Sequence, residues 1–284
     1  MFYNSALIQI ILSILLVFIS WEIIRYIDNY LFFKELKKKV FPKHYLRVLQ
    51  TIPYYNLLDE KMRLKLQYKM LIFIETKEFI GIKKDVSYEM KVIIAFYACL
   101  MIVNKQTDEY DNLNTIYVYP YEYVIDEVKS YDGIYTKQKA VIQGQSTGGV
   151  VFLSWHDAKK QSFTFKNHNV IIHEFAHELD FEDGAADGMP VLENGNYKAF
   201  GNVMFHAFKK LNAKTIANRF LGKYKLFGNY GGTNEAEFFA VASELFFEKP
   251  KSLKDSFPDV YFQLKSFYNI DTYELFTKKD NKDV

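Results

Sequence analysis

At 284 residues the chain has room for one large domain or two small ones, and a 49% hydrophobic content supplies a sizeable core and excludes a disordered polypeptide. Thirty-six Lys and Arg against 34 Asp and Glu leave a formal charge of +2, too weak a field to attract a nucleic acid, so no nucleic-acid partner is expected. The single cysteine, Cys99, excludes an intramolecular disulfide; it lies in the apolar run 96–103 and reads as a buried small hydrophobe, in keeping with a reducing compartment.

Residues 1–21 carry no charged side chain, and Glu22-Ile-Ile-Arg25 follows. A helix rises about 1.5 Å per residue, so ~20 residues cover a hydrocarbon core about 30 Å thick. No Lys or Arg precedes the run, no small-residue cleavage pattern ends it, and it lacks the polar stripe of a core helix. Residues 1–24 are therefore read as an uncleaved transmembrane anchor. Arg25, Lys34, Lys37, Lys38 and Lys39 crowd its C-terminal side, which by the positive-inside rule puts the remainder in the cytoplasm. Residues 25–40 form a basic juxtamembrane linker that could also lie against anionic headgroups.

Beyond Pro42, apolar periodicity predicts helices over residues 45–50, 59–75 and 88–103, broken at Ile52-Pro53 and at 81–85. β-branched and aromatic runs over 115–119 and 149–155, with turn-rich residues 144–149, predict strands of one small sheet. Helical signals return over 169–180, 197–217 and 234–247. Helices, then strands, then helices predict an α+β domain over residues 41–276, its helices packed on one side of a mainly antiparallel sheet. The charged residues 277–284 predict a tail that frays.

Within the fourth of these helices stands His173-Glu-Phe-Ala-His177. Four-residue spacing on a helix puts both imidazoles on one face, a turn apart, where one ion can take a nitrogen from each. Catalytic zinc sites keep three protein ligands and a water, and a neighbouring carboxylate, here Glu174, can take that water's proton and deliver it to a leaving amine. Asn167 and Asn169 are candidate caps, and Val170, Ile171, Ile172, Phe175, Ala176 and Leu179 supply an apolar face that would hold the imidazoles rigidly.

A third ligand has to come from elsewhere. Residues 178–184 contain no histidine, so the three-histidine HExxHxxGxxH arrangement is excluded. Asp180, Asp183, Asp187, His206, Glu235, Glu237 and Glu244 remain candidates. Glu237 opens a strongly apolar helix, with Phe238, Phe239, Ala242, Leu245 and Phe246 to anchor it; the competing role is a capping box with Asn234. Asp180, seven residues after His173, could orient an imidazole from behind, and Glu244 is a second candidate for that task. His206 sits among Phe200, Val203, Met204, Phe205 and Phe208 on an amphipathic helix and reads as packing first, ligand second.

The stretch His173-Glu-Phe-Ala-His-Glu-Leu-Asp-Phe-Glu-Asp-Gly184, then Ala186-Asp-Gly-Met-Pro190, and later Tyr230-Gly-Gly-Thr-Asn-Glu-Ala-Glu-Phe-Phe-Ala-Val-Ala-Ser-Glu244 resemble the MtfA (Mlc titration factor A) family of zinc-dependent peptidases. Phe41-Pro42, residues 95–101 and Val150-Val-Phe-Leu-Ser-Trp155 look similar too, so the likeness runs from about residue 41 to 267. The resemblance implies a zincin-like domain holding one zinc ion through His173, His177 and Glu237, with Glu174 as general base and Tyr230 facing the site as an oxyanion donor. By analogy with zincins, the strand ending near Trp155 presents an edge to an extended peptide. The N-terminal apolar run departs from what a soluble member would need. The expected activity is hydrolysis of peptide or protein substrates. The alternative is a membrane-tethered regulatory zinc protein that binds a cytoplasmic partner with little or no catalysis.

Overall fold

The computed structural model describes residues 2–121, 123–131, 134–142, 144–147, 149–166, 168–193, 195–213, 226–228 and 230–280; within these, side chains are described outside 2–8, 123–147, 213, 230 and 279–280. The chain divides into two compact units, Met1–Phe41 and Pro42–Val284. The first is a single helix, α1 (Phe2–Leu36). Its segment Gln9–Leu36, whose most apolar 18-residue window has a mean hydropathy of 2.1, is long and apolar enough to cross a membrane by length and composition. The helix continues beyond residue 24, where the apolar run ends in the sequence, through most of the basic stretch.

The second unit begins with α2 (Lys43–Thr51), a 3₁₀ turn (Tyr55–Leu57) and α3 (Glu60–Thr76), started by Asp59, whose carboxylate accepts the Met62 amide at 2.8 Å. β1 (Glu78–Gly81) follows, then α4 (Tyr88–Ile102), capped by Ser87 and buried along Val92–Ile102 on every face. A helix apolar all round belongs in the middle of a core, and Cys99 on it is fully buried. Next come β2 (Thr115–Tyr119), a hairpin of β3 (Tyr123–Tyr131) and β4 (Ile134–Ile142), then β5 (Gly144–Thr147) and β6 (Val150–Ser154). The remaining elements are helices: α5 (Trp155–Ser162), α6 (Val170–Asp180), α7 (Tyr197–Ala213), α8 (Glu235–Glu248), α9 (Pro250–Ser256), α10 (Pro258–Tyr268) and α11 (Thr272–Asp280).

The mixed α/β content is as expected, but the sheet is not mainly antiparallel. Its order is β1-β2-β6-β5, with β1, β2 and β6 parallel and only β5 antiparallel; β3 and β4 form a separate antiparallel pair. The physical reason is the connection. α4 carries the chain from β1 back to the start of β2, and a helical crossover of this kind joins parallel neighbours. Ile116 and Val118 of β2 and Val151 and Leu153 of β6 are buried on one face, the alternation that packs a sheet against helices. A second correction follows from the order: β6, which ends at Ser154 beside Trp155, is paired on both sides and offers no edge, whereas β5 is an outer strand lying against α6. Gly149, at φ 82, makes the β5–β6 turn, and a Cβ there would fall 2.3 Å from the Asn112 carbonyl oxygen.

Candidate metal centre

α6 starts where Asn169 caps it, the side-chain oxygen accepting the Ile172 amide at 3.3 Å; Asn167, the other expected cap, lies outside the described residues. Val170, Ile171, Ile172, Phe175, Ala176 and Leu179 are buried, and the Phe175 ring sits 5.6 Å from that of Phe73 and 5.1 Å from that of Tyr110. With that face fixed in the core, His173 and His177 fall together on the rim, their side chains 19% and 16% exposed.

α8 brings the carboxylates. Asn234 caps it by accepting the Glu237 amide at 2.8 Å, while the Glu237 side chain turns to the imidazoles, 3.3 Å from His173 Nε2 and 3.5 Å from His177 Nε2. The cap and the histidine contact are thus both made, one by the backbone and one by the side chain. Glu244 and Glu248 continue the same stripe of α8 toward α6. Glu244, 1% exposed, places Oε1 2.7 Å from His173 Nδ1, while Oε2 accepts the Asn169 amide at 2.7 Å and lies 3.3 Å from His168 Nδ1. Glu248 Oε1 accepts the Asn169 side-chain N–H at 3.2 Å. His168 escaped the sequence reading because no periodicity marks it; its only signal was its place just before the cap of α6.

The donor atoms of His173, His177 and Glu237 lie within 4.8 Å of one another. The two Nε2 atoms are 3.2 Å apart, and with the carboxylate distances of 3.3 and 3.5 Å they approach the edges, about 3.3–3.4 Å, of a tetrahedron whose corners stand about 2.0–2.1 Å from a zinc ion. Two imidazole nitrogens and one carboxylate, with His173 Nδ1 held by a buried carboxylate behind it, form a donor set that fits zinc.

The electrostatics of these side chains are coupled. Burial opposes protonation of His173, but its hydrogen bonds to Glu237 and Glu244 outweigh burial and hold the imidazole well above the ordinary histidine range. Burial likewise works against ionised Glu237, and the two imidazoles prevail, keeping it well below the usual carboxylate range. Glu174, 4% exposed, is pushed by burial up to about 8, against the opposing pull of His173. A cation binding here would replace the protons these groups share, since imidazole and carboxylate ligands bind deprotonated.

The other sequence candidates lie as follows. Asp180, fully buried, accepts the Gly188 amide at 2.8 Å through Oδ2 and so ties down the loop after α6; burial pushes it up to about 6. Asp183 and Asp187 accept the Ala185 and Met189 amides, each at 3.0 Å, as turn-forming side chains. Glu235 is exposed on the first turn of α8, and His206 is exposed on α7, its ring 6.2 Å from that of Phe205, rather than packed in the core. Tyr230 opens the 3₁₀ turn Tyr230–Gly232, and its side chain lies outside the described residues.

Glu248 yields a pH prediction separate from the centre itself. Burial pushes its carboxyl up to about 8, so between pH 4.5 and 8 the folded chain keeps a proton that the unfolded chain releases. Its contribution to stability therefore falls as pH rises through that window. Glu248→Gln removes the titration, and the variant is expected to gain on the parent by on the order of 4 kcal/mol from the acid to the alkaline end of that window. Urea midpoints at the two ends measure it; an equal difference at both would show an ordinary carboxyl.

The profile of the glucose-regulated metallo-peptidase M90 family matches residues 29–269. An uncharacterised protein of Synechocystis sp. is 32% identical over 242 residues, covering 83% of this chain and 86% of that one. Mlc titration factor A of Serratia proteamaculans is 29% identical over 226 residues (78% of this chain, 85% of the relative). The protein of the same name from Edwardsiella ictaluri is 33% identical over 186 residues (64% and 70%). A match that takes in the helix of His173 and His177, the helix of Glu237 and the whole sheet places this chain in the glucose-regulated metallo-peptidase M90 family, the family of the Mlc titration factor A proteins.

Proposed function

We propose that the chain is a zinc-dependent peptidase of zincin type, with His173, His177 and Glu237 as ligands of one zinc ion. The observation that carries this reading is the convergence of donor atoms of those three side chains within 4.8 Å of one another, beside the helix α6 that also bears Glu174. Bound there, zinc supplies Lewis-acid polarisation of a water and of a peptide carbonyl. Glu174 takes the proton of the attacking water and returns it to the leaving amine. Glu244 fixes the tautomer and orientation of His173 through the 2.7 Å contact to Nδ1, and Asp180 holds the loop beyond α6 against it. Tyr230, on the turn before α8, donates its hydroxyl to the oxyanion. The outer strand β5 pairs with an extended stretch of the substrate backbone.

In this reading residues 1–24 anchor the chain as a single membrane span, residues 25–40 link it, residues 41–276 are the peptidase domain on the cytoplasmic side, and residues 277–284 are a charged tail. The uncharged run of residues 1–21 and the basic residues after it support the anchor and its orientation. A second reading, regulatory binding of a cytoplasmic protein with little catalysis, is favoured by the name of the curated relatives, which speaks of titrating another factor rather than of cleavage. One experiment separates the two. Full-length protein in detergent is incubated with a mixed peptide library, with zinc, after chelation and after zinc is restored. Peptide cleavage that is lost on chelation and regained with about one zinc per chain is expected. Protein that holds zinc yet cleaves nothing turns the decision to the binding role, and cleavage indifferent to chelation refutes the zinc mechanism.

A further inference from the structure

Because β1, β2 and β6 run parallel, their carboxyl ends open on the same side of the sheet, and a cleft of about 630 Å³ lies there. That falls within the roughly 300–1,000 Å³ of small-molecule sites, and the carboxyl ends of parallel strands are where open α/β sheets take their ligands. Each strand contributes to the lining: Lys83 and Lys84 after β1, Tyr121 after β2, and Trp155 and His156 after β6, with Lys159 and Lys160 on α5. Among the described residues no Asp or Glu lines it.

Its walls are fixed by backbone hydrogen bonds that prolong the sheet: Ile82 N–H donates to Val118 at 2.9 Å and His156 N–H to Pro120 at 3.2 Å. The turn after β1 folds back so closely that a Cβ on Gly81 would lie 1.8 Å from the Lys84 carbonyl oxygen. Lys83 stands at φ 63, a left-handed conformation uncommon for a lysine and held here by the turn around it. Lys159 pairs with Glu89 at 3.0 Å, whereas Lys83, Lys84 and Lys160 have no carboxylate partner among the described residues. Beside them the Tyr121 and His156 rings lie 5.6 Å apart, with Tyr121 68% exposed.

We infer that this cleft is a binding site for a phosphoryl group carried on an organic body. Three ammonium-bearing side chains that line one cleft without a carboxylate partner among the described residues repel one another, and a dianion with several acceptor oxygens relieves that repulsion where a single carboxylate relieves only part of it. The rings of Tyr121 and His156 give a flat organic body a surface to stack on. None of these residues belongs to the metal centre, so occupation of the cleft needs neither zinc nor hydrolysis.

The chain carries its own reporter, since Trp155 lines the cleft and the only other tryptophan is Trp21. Full-length Trp21→Phe protein in phosphatidylcholine nanodiscs is titrated with phenyl phosphate, with phenol as control, and in parallel placed in discs containing phosphatidic acid. A saturable change in Trp155 emission with phenyl phosphate and none with phenol is expected. Lys84→Gln and Lys160→Gln should each weaken it about tenfold, and Lys84→Arg should restore it, all at unchanged thermal midpoint. A lysine-dependent change produced by phosphatidic acid but not by phenyl phosphate assigns the phosphoryl group to a lipid headgroup instead of a soluble ligand. No saturable change with either probe, or equal affinity in the glutamine variants, overturns the inference.

Discussion

Glu174→Gln is expected to abolish peptide hydrolysis, by at least about 10²–10⁴-fold, while zinc remains bound at one per chain. Gln keeps the volume and the buried position but neither takes a proton from water nor returns one. Burial already pushes this carboxyl up to about 8, so a neutral amide of the same shape suits the site and the fold should stay intact. The measurement is turnover of a quenched peptide together with metal analysis of the same sample. Retained turnover would take the general-base role away from Glu174; loss of turnover together with loss of zinc would show a structural defect instead.

The second large effect concerns the metal. His177→Ala and Glu237→Ala each remove one of three protein donors and should lower zinc affinity by more than the roughly 10–100-fold that attends loss of a partner standing behind a ligand. Glu244→Gln sets the comparison, because it leaves all three donors in place and alters only the group 2.7 Å from His173 Nδ1. Competition with a chromogenic chelator, run on the full chain, ranks the three. If Glu237→Ala bound zinc as tightly as Glu244→Gln, Glu237 would be the cap of α8 and nothing more.

Much of this was readable in advance, for identifiable reasons. The α6 and α8 helices announce themselves because the same apolar residues that anchor them, Phe175 and Leu179 in one, Phe238, Phe239 and Phe246 in the other, recur at helical spacing behind a capping Asn. Strand direction left no such trace. A run such as Thr115–Tyr119 alternates in the same way whether its neighbour is parallel or antiparallel, and the direction is decided by the length of chain between strands. β1 is only four residues long and ends in Gly81, where a break between helices is expected, which conceals the crossover that makes the sheet parallel. α5 was hidden by its own start, because Trp155 closes a β-rich run while Ser154 caps a helix. At the centre, Glu237 could be named but not decided between two roles, since cap and ligand use different atoms of one residue.

Glu244 grips the first turn of α6 with one oxygen and the ring of His173 with the other. The seating of one helix on the other and the readiness of the imidazole to accept a metal are therefore the same event. α6 and α8 are far apart along the chain, so an ion held by both would act as a clasp across a long loop of polypeptide, absent from the unfolded ensemble. Stability would then track free zinc as RT ln(1 + [Zn]/Kd), about 2.7 kcal/mol at a hundredfold excess over Kd. Metal supply would set how long the domain survives as well as how fast it works.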